Sequence, residues 1–181
     1  MDSKTDLRAR LVQEAMRLLA QDTAEITLRG VARAAGVSAM APYRHFADKA
    51  ALMRAVTESG FEMLRGALLE ADRNEDDRAA LLAQGMAYIG FAVAHPTLFR
   101  MMFAHPKIDS PGKDRIGETA YGVLAHRIAQ MVPDQTEAAI TAAWAIVHGL
   151  ATLTLDVRLP PASEHTRAAL RLFVAGLPSL G

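Results

Sequence analysis

The chain has 181 residues, of which 51% are hydrophobic, with 20 basic and 20 acidic side chains and no cysteine. This length is enough for one or two small domains with a hydrophobic core, and the absence of cysteine excludes disulfide bonds and thiolate metal sites. A net charge of zero argues weakly against nucleic-acid binding, but the local distribution of charge matters more than the sum.

Composition predicts the fold class. Alanine and leucine are abundant and runs of β-branched residues are nearly absent, which predicts an all-α protein of about nine helices. The first of these helices is predicted over about 5–21. The N-terminal residues lack the apolar core of a signal peptide, and we expect no apolar run to be long enough to span a bilayer. We therefore expect a soluble cytoplasmic protein.

The next segment has the order of a helix-turn-helix. Thr27 can cap a second helix over about 28–35, and Gly36 ends it because glycine readily takes the left-handed conformation. Ser38 is expected to cap a short third helix that runs to about Phe46. In a helix-turn-helix, the second of the two joined helices enters the DNA major groove.

A long helix follows and divides the chain. Asp48 is expected to cap this helix over about 49–70. We therefore predict a helix-turn-helix domain over 1–48, the connecting helix, and a helical ligand-binding and dimerisation domain over 71–181.

The second domain is predicted to be a bundle of apolar helices. Two prolines and a glycine predict a loop over 105–112. Asp134 and Glu137 form a capping pair at the start of a long apolar helix. The predicted helices after the connecting helix cover about 77–95, 97–103, 113–131, 134–156 and 163–176.

Polar and basic residues near the predicted turn are candidates for DNA contact. Residues 26–47 contain three arginines and no acid. Such a basic face can attract phosphate even on a neutral molecule, because exposed charges beyond about 10 Å are largely screened. An ordinary solvated helix face is the alternative interpretation. The candidates are Thr27, Arg29, Ser38, Met40, Ala41, Tyr43, Arg44, His45 and Lys49.

Aromatic, methionine and histidine side chains recur on helices of the second domain. Such residues at helical spacing usually fill a core, and this is the simpler interpretation for most of them. A ligand pocket between bundle helices is built from the same residue types plus a few polar groups. The pocket candidates are Tyr88, Phe91, His95, Phe99, Met102, Phe103, Tyr121, Trp144 and His148.

Residues 7–56 resemble the N-terminal domain of TetR/AcrR-type transcriptional regulators. The resemblance rests on Thr27, Arg29, Val31-Ala32, Ala35-Gly36-Val37-Ser38, Tyr43, His45-Phe46, Lys49 and Leu52. It implies that Tyr43, His45 and Lys49 contact the DNA backbone and that the third helix reads bases.

The chain departs from this family pattern directly before Tyr43. Met40-Ala41-Pro42 replaces the Gly-Thr/Ser-hydrophobic sequence that is common in the family, so no hydroxyl is available there. We therefore expect Met40 and Ala41 to touch thymine methyl groups and Arg44 to reach a guanine.

Residues 80–178 resemble the C-terminal domain of a TetR subfamily named for its Trp-His-Gly segment. The resemblance rests on the segments His95–Arg100 and Trp144–Leu150. Family members are homodimers whose last two helices form a four-helix bundle with those of the partner. Here this implies dimer contacts from Leu150, Leu153, Leu170 and Phe173, with close helix approach at Ala142, Ala143, Gly149 and Ala151.

These features predict a ligand-responsive transcriptional regulator. We expect a homodimeric repressor that binds a palindromic double-stranded operator and is released by a small apolar or amphipathic effector. The effector would shift the helix at 96–104 against the connecting helix and change the spacing of recognition helices about 34 Å apart. No cofactor, metal or membrane partner is expected.

The alternative is a helical enzyme or small-molecule-binding protein without operator binding. The chain has no Gly-x-Ser-x-Gly, no His-Glu-x-x-His and no phosphate loop, so no catalytic residue is predicted.

Overall fold

The computed structural model describes residues 3–21, 26–74, 76–104, 119–160 and 163–178. Within these ranges the chain forms eight α-helices, two 3-10 turns and no strand, which confirms the predicted all-α class. The helices are α1 (Ser3–Ala20), α2 (Leu28–Ala34), α3 (Lys49–Ala71), α4 (Asp77–Ala94), α5 (Pro96–Phe103), α6 (Ala120–Met131), α7 (Thr136–Leu155) and α8 (Glu164–Gly176). The 3-10 turns are Pro42–Arg44 and Pro133–Gln135.

Side-chain caps fix the starts of five of the described helices, α2, α3, α4, α6 and α8. Thr27, Asp48 and Ser163 each accept a hydrogen bond from the backbone N–H three residues later, at 3.0, 2.7 and 3.2 Å. Each cap satisfies a donor that has no partner inside its own helix. Of the caps predicted from the sequence, those at Thr27 and Asp48 are confirmed.

The predicted third helix is wrong: only the 3-10 turn Pro42–Arg44 forms in its place. Pro42 has no N–H, so the hydrogen bond that an α-helix needs at this residue cannot form. The N–H groups on either side donate instead to carbonyls three residues back, as in a 3-10 helix. The Ser38 carbonyl, rather than its side chain, accepts from the Ala41 N–H at 2.9 Å.

The start of α7 also differs from the prediction. Asp134 lies inside the turn Pro133–Gln135, and the residue at the N-cap of α7 makes no side-chain cap. The Thr136 hydroxyl instead donates to the Val132 carbonyl at 2.9 Å. The predicted loop over 105–112 and the predicted helix start at 113 lie outside the described residues.

The described chain divides into two compact units. The first contains residues 3–60 and 97–104, and the second contains 61–96 and 119–178. The division therefore falls inside α3, later than the boundary expected near residue 48.

In the first unit, α3 and α5 lie very close together. A Cβ atom placed on Gly60 of α3 would lie 2.8 Å from the Met102 Sδ and 3.1 Å from the Leu98 Cδ1, both on α5. Real Cβ atoms essentially never come as close to another heavy atom as 2.8 Å. The present distance between the two helices therefore depends on the absence of a side chain at residue 60.

In the second unit, α4 contacts α6, α7 and α8. An ion network closes one end of this unit: the Arg127 Nε donates to the Asp72 Oδ1 at 2.8 Å, and its Nη1 pairs with Asp77. The Arg127 side chain is only 13% exposed, and its hydrogen bond to Asp72 raises the pKa of the guanidinium. Removing either acid would leave a largely buried positive charge with fewer partners.

The apolar helix α7 is only partly covered. With its preceding turn, Pro133–Leu155 is long and apolar enough to cross a membrane by length and composition alone, so the expectation that no run is long enough is wrong. Core helices of globular proteins also meet that test. Only 33% of its most apolar window is buried. Small residues form one line on its less buried side at alternating spacings of four and three: Ala138, Ala142, Ala145, Gly149 and Thr152.

Candidate nucleic-acid interface and effector site

The turn after α2 is fixed by its backbone. Gly36 has a φ of 67°, a left-handed conformation that glycine adopts without strain. The Val37 N–H donates to the Ala32 carbonyl at 3.0 Å, which closes the helix in a Schellman motif. From α1, the Arg10 Nη2 donates to the Ala35 carbonyl at 3.0 Å. These contacts set the direction in which the chain leaves α2.

The following residues, 38–45, form what we call the exposed turn. Pro42 and Phe46 are buried and anchor it. Between and beside these anchors, Met40 is 67% exposed and Tyr43 is 44% exposed. A large apolar side chain held in solvent by a rigid turn suggests a contact surface for another molecule.

The structure places the predicted DNA-contact residues mainly on the solvent side of the first unit. Exposed members are Thr27, Arg29, Ser38, Met40, Tyr43, Arg44 and Lys49, and half-buried members are Ala41 and His45. The Thr27 hydroxyl oxygen already accepts the hydrogen bond from the Gly30 N–H that caps α2. Its O–H group could still donate to a phosphate. Lys49 is the first residue of α3, where the helix dipole adds positive potential.

Sequence reasoning missed two arginines of α1 that support this surface. Arg10 caps the end of α2, and the Arg8 guanidinium lies 5.4 Å from the centre of the Phe46 ring. Neither follows a local motif, because each contact joins residues at least 25 positions apart in the sequence. Only the packing of α1 on the turn brings them together.

In the second unit, four of the predicted pocket residues form one connected cluster. The Tyr88 hydroxyl and the His148 Nδ1 are 2.9 Å apart. The Trp144 ring lies 6.3 Å from the His148 ring and 6.2 Å from the Tyr121 ring. We call Tyr88, Tyr121, Trp144 and His148 the aromatic cluster.

Burial fixes the protonation states in the aromatic cluster. It raises the pKa of the Tyr88 phenol well above its ordinary value, an effect that a hydrogen bond with Trp144 partly offsets. The protonated phenol and the His148 Nδ1 therefore share one hydrogen bond, whose direction depends on the imidazole tautomer. Burial also lowers the pKa of His148, so this ring is neutral at pH 7.

The other predicted pocket residues form separate pairs. The Phe91 and His95 rings, both in the second unit, are 5.0 Å apart. The Phe99 and Phe103 rings, 4.9 Å apart, belong to the first unit, as does the buried Met102. The predicted set is therefore distributed over both units.

One predicted dimer residue requires correction. Leu170 is only 3% exposed in the single chain, and a Cβ atom on Gly85 of α4 would lie 3.0 Å from its Cδ1. Leu170 therefore fills the interior of its own unit and offers no surface to a partner. Phe173 packs partly against the same unit's core, whereas Leu153 is 41% exposed and Leu150 is half-buried.

A polar residue that the sequence did not single out lies beside the ion network. Gln84 of α4 is 2% exposed, and its Nε2 donates to the Asp72 Oδ1 at 2.6 Å. No side-chain signal marks it in the sequence, since a glutamine on a helix is usually solvated. Within the described residues, no group of three or more histidine, aspartate or glutamate side chains could hold a metal ion.

The lowered pKa of His148 predicts a pH-dependent stability. The unfolded histidine takes up a proton below about pH 6.5, before the folded one does, so stabilisation is present above that pH and is lost as the pH falls toward the folded pKa. Lowering the pH from about 7.5 to about 5.5 should therefore reduce the free energy of unfolding more for the wild type than for His148→Asn. Urea unfolding at both pH values measures this difference. Equal losses would contradict it.

Known protein families match both parts of the chain. A sequence model described as bacterial regulatory proteins, tetR family, matches residues 11–56, and one described as the tetracyclin repressor-like C-terminal domain matches residues 81–177. No significant match is found among curated protein sequences. The Trp-His-Gly subfamily stays a prediction.

Solved structures agree over nearly the whole chain. A protein of unknown function from Rhodococcus sp. RHA1 is 33% identical, with a TM-score of 0.80 over 94% of this chain and 95% of that one. A TetR family transcription regulator from Marinobacter aquaeolei VT8 is 21% identical, with a TM-score of 0.73 over 99% and 100%. The TetR family regulator PfmR from Thermus thermophilus is 23% identical, with a TM-score of 0.62 over 94% and 97%. The chain belongs to the TetR family of bacterial transcriptional regulators.

Proposed function

We propose that this regulator is a cytoplasmic repressor that binds a palindromic operator as a homodimer and leaves it when a small apolar or amphipathic effector binds. The exposed turn carries the proposal. Its backbone is fixed at Gly36, its interior is filled by Pro42 and Phe46, and Met40 and Tyr43 are directed into solvent. A rigid turn of this kind can enter a DNA groove without first becoming ordered.

In this proposal the exposed turn reads bases and its surroundings bind phosphate. Met40 would contact thymine methyl groups, and Arg44 would donate to a guanine. Tyr43, His45 and Lys49 would hold the sugar-phosphate backbone and set the register of the turn in the groove.

The proposal is tested first at Tyr43. Tyr43→Ala should abolish the mobility shift of an operator selected by the wild type from random double-stranded DNA. The phenol is exposed, so its removal should change the free energy of unfolding by less than about 0.5 kcal/mol. Tyr121→Ala is the matched control, because both tyrosines are 44% exposed and Tyr121 lies in the second unit. Retained affinity in Tyr43→Ala would refute the assigned contact.

A homodimer would cover the exposed line of small residues on α7. Such residues at heptad-like spacing let two helices approach closely. Ile146 and Leu153 lie beside this line, and α8 adds Leu172, which is 76% exposed. A single chain has no reason to leave these side chains in water, whereas a second copy would bury them.

A charge in that line should separate the subunits. Ala145→Glu places a carboxylate at the centre of the proposed contact, and its desolvation should weaken dimerisation by roughly 100-fold or more. Ala129→Glu, at an exposed alanine of α6, is the matched control. Light scattering after size-exclusion chromatography measures the mass of each. A monomeric wild type, or a dimeric Ala145→Glu at low concentration, would contradict the proposed interface.

The close contact of α5 with α3 supports a mechanism of release. An effector that displaces α5 would act directly on α3, since at Gly60 the Leu98 and Met102 side chains of α5 pack against the α3 backbone. A coupling of about 1–3 kcal/mol is enough for a useful switch.

Adding one methyl group at residue 60 should imitate the effector. Gly60→Ala would push α5 away from α3 and is expected to weaken operator binding about fivefold or more without any effector. Gly66→Ala on the same helix has nothing within 4 Å of the added Cβ. It should only stabilise the protein, by roughly 0.5–1 kcal/mol. Fluorescence anisotropy with labelled operator measures both, and wild-type affinity in Gly60→Ala would contradict the mechanism.

The regulator is proposed to have no catalytic activity. The titratable groups of the aromatic cluster support this, because a neutral, half-buried histidine and a protonated, buried phenol are already paired with each other. A general acid or base must instead reach a reacting group of a substrate.

A further inference from the structure

The buried amide of Gln84 has one satisfied end and one unsatisfied end. Its Nε2 donates to the Asp72 Oδ1 at 2.6 Å. Its Oε1 is fully enclosed and has no hydrogen-bond partner among the described residues. A buried acceptor without a donor destabilises the fold, so it requires a physical explanation.

The ion network fixes the orientation of this amide. Asp72 also accepts from the Arg127 Nε at 2.8 Å, as one partner of an ion pair. Rotating the Gln84 amide by half a turn would place its oxygen 2.6 Å from that carboxylate, which is repulsive. The unsatisfied oxygen is therefore a consequence of the network and not of the choice between the two amide orientations.

Gln84 lies next to the aromatic cluster on the same helix. Tyr88 is four residues later, so both side chains lie on one face of α4, one turn apart. The Tyr88 hydroxyl is hydrogen-bonded to the His148 Nδ1. The second unit thus holds a fixed acceptor and a neutral aromatic cluster side by side.

We propose that the effector donates a hydrogen bond to the Gln84 Oε1. This inference rests on the proposed function and names the chemical class of its effector: an amphipathic molecule with a hydroxyl or amine group on an apolar body. Carboxylates are excluded from this class, because they offer no donor at neutral pH. They would also meet the net negative charge of Asp72 and Asp77 around one arginine, Arg127.

The chain provides its own reporter for a binding test. Trp144 is the single tryptophan and belongs to the aromatic cluster. Its fluorescence is titrated with four probes that share one apolar chain: 1-octanol, octylamine, octyl methyl ether and octanoate. Comparison of the alcohol with the amine shows whether the site prefers a neutral or a cationic hydrogen-bond donor. The ether keeps the apolar chain and lacks the donor.

The expected result is tighter binding of 1-octanol, octylamine or both, by roughly tenfold over the ether, with octanoate weakest. Gln84→Met removes the acceptor at nearly constant volume and should reduce this preference to about one. Gln13→Met, an exposed glutamine on α1, should retain it. The preference in the wild type is measured without any variant, so a folding defect in Gln84→Met does not remove the test.

Three results would overturn the inference: equal binding of alcohol, amine and ether, no binding of any probe, or a preference that persists in folded Gln84→Met. An ordered water on the Gln84 Oε1 combined with equal probe binding would show that solvent alone satisfies the oxygen. Operator binding is measured separately by mobility shift. Failure of the probes with intact operator binding refutes only the effector class, whereas the absence of operator binding in the probe-free wild type refutes the proposed function.

Discussion

The left-handed backbone at Gly36 is the constraint on which the candidate DNA surface depends. With a φ of 67°, it turns the chain sharply after α2 and allows the Schellman hydrogen bond between Val37 and Ala32. Any residue with a side chain would be strained there. Arg10 then ties α1 to the same helix end through the Ala35 carbonyl. Because the direction of the chain after α2 is fixed, the exposed side chains that follow are held in one orientation.

The two units use polar groups in different ways. In the first unit, the polar contacts of Thr27, Asp48 and Arg10 satisfy helix ends near the surface, which makes the backbone rigid. In the second, Gln84 and Arg127 place polar atoms inside a helical core. Internal polar groups restrict the packing arrangements that the core can take, and they remain sensitive to any molecule that brings a new donor or acceptor. The first arrangement suits a fixed surface, and the second suits a responsive interior.

Local sequence signals predicted the parts of the fold that depend on neighbouring residues. The caps at Thr27 and Asp48 and the turn at Gly36 are of this kind, since each bond joins residues within a few positions. The missing third helix could have been predicted from Pro42, whose lack of an N–H matters most in a helix of only two turns. The burial of Leu170 was not predictable in this way, because α8 offers apolar residues on more than one face. The buried position of Gln84 could not be predicted either, because it depends on a hydrogen bond to a carboxylate twelve residues away.

The helix α3 gives these separate features a physical connection. It is continuous over 23 residues, which corresponds to about 35 Å. Asp48 caps its first turn, directly after the exposed turn, and Asp72 follows its last residue and holds both Gln84 and Arg127. The hydrogen bonds of Asp72 therefore bear on the end of α3 that belongs to the second unit, whereas Gly60 leaves room for α5 beside the part of α3 that belongs to the first unit.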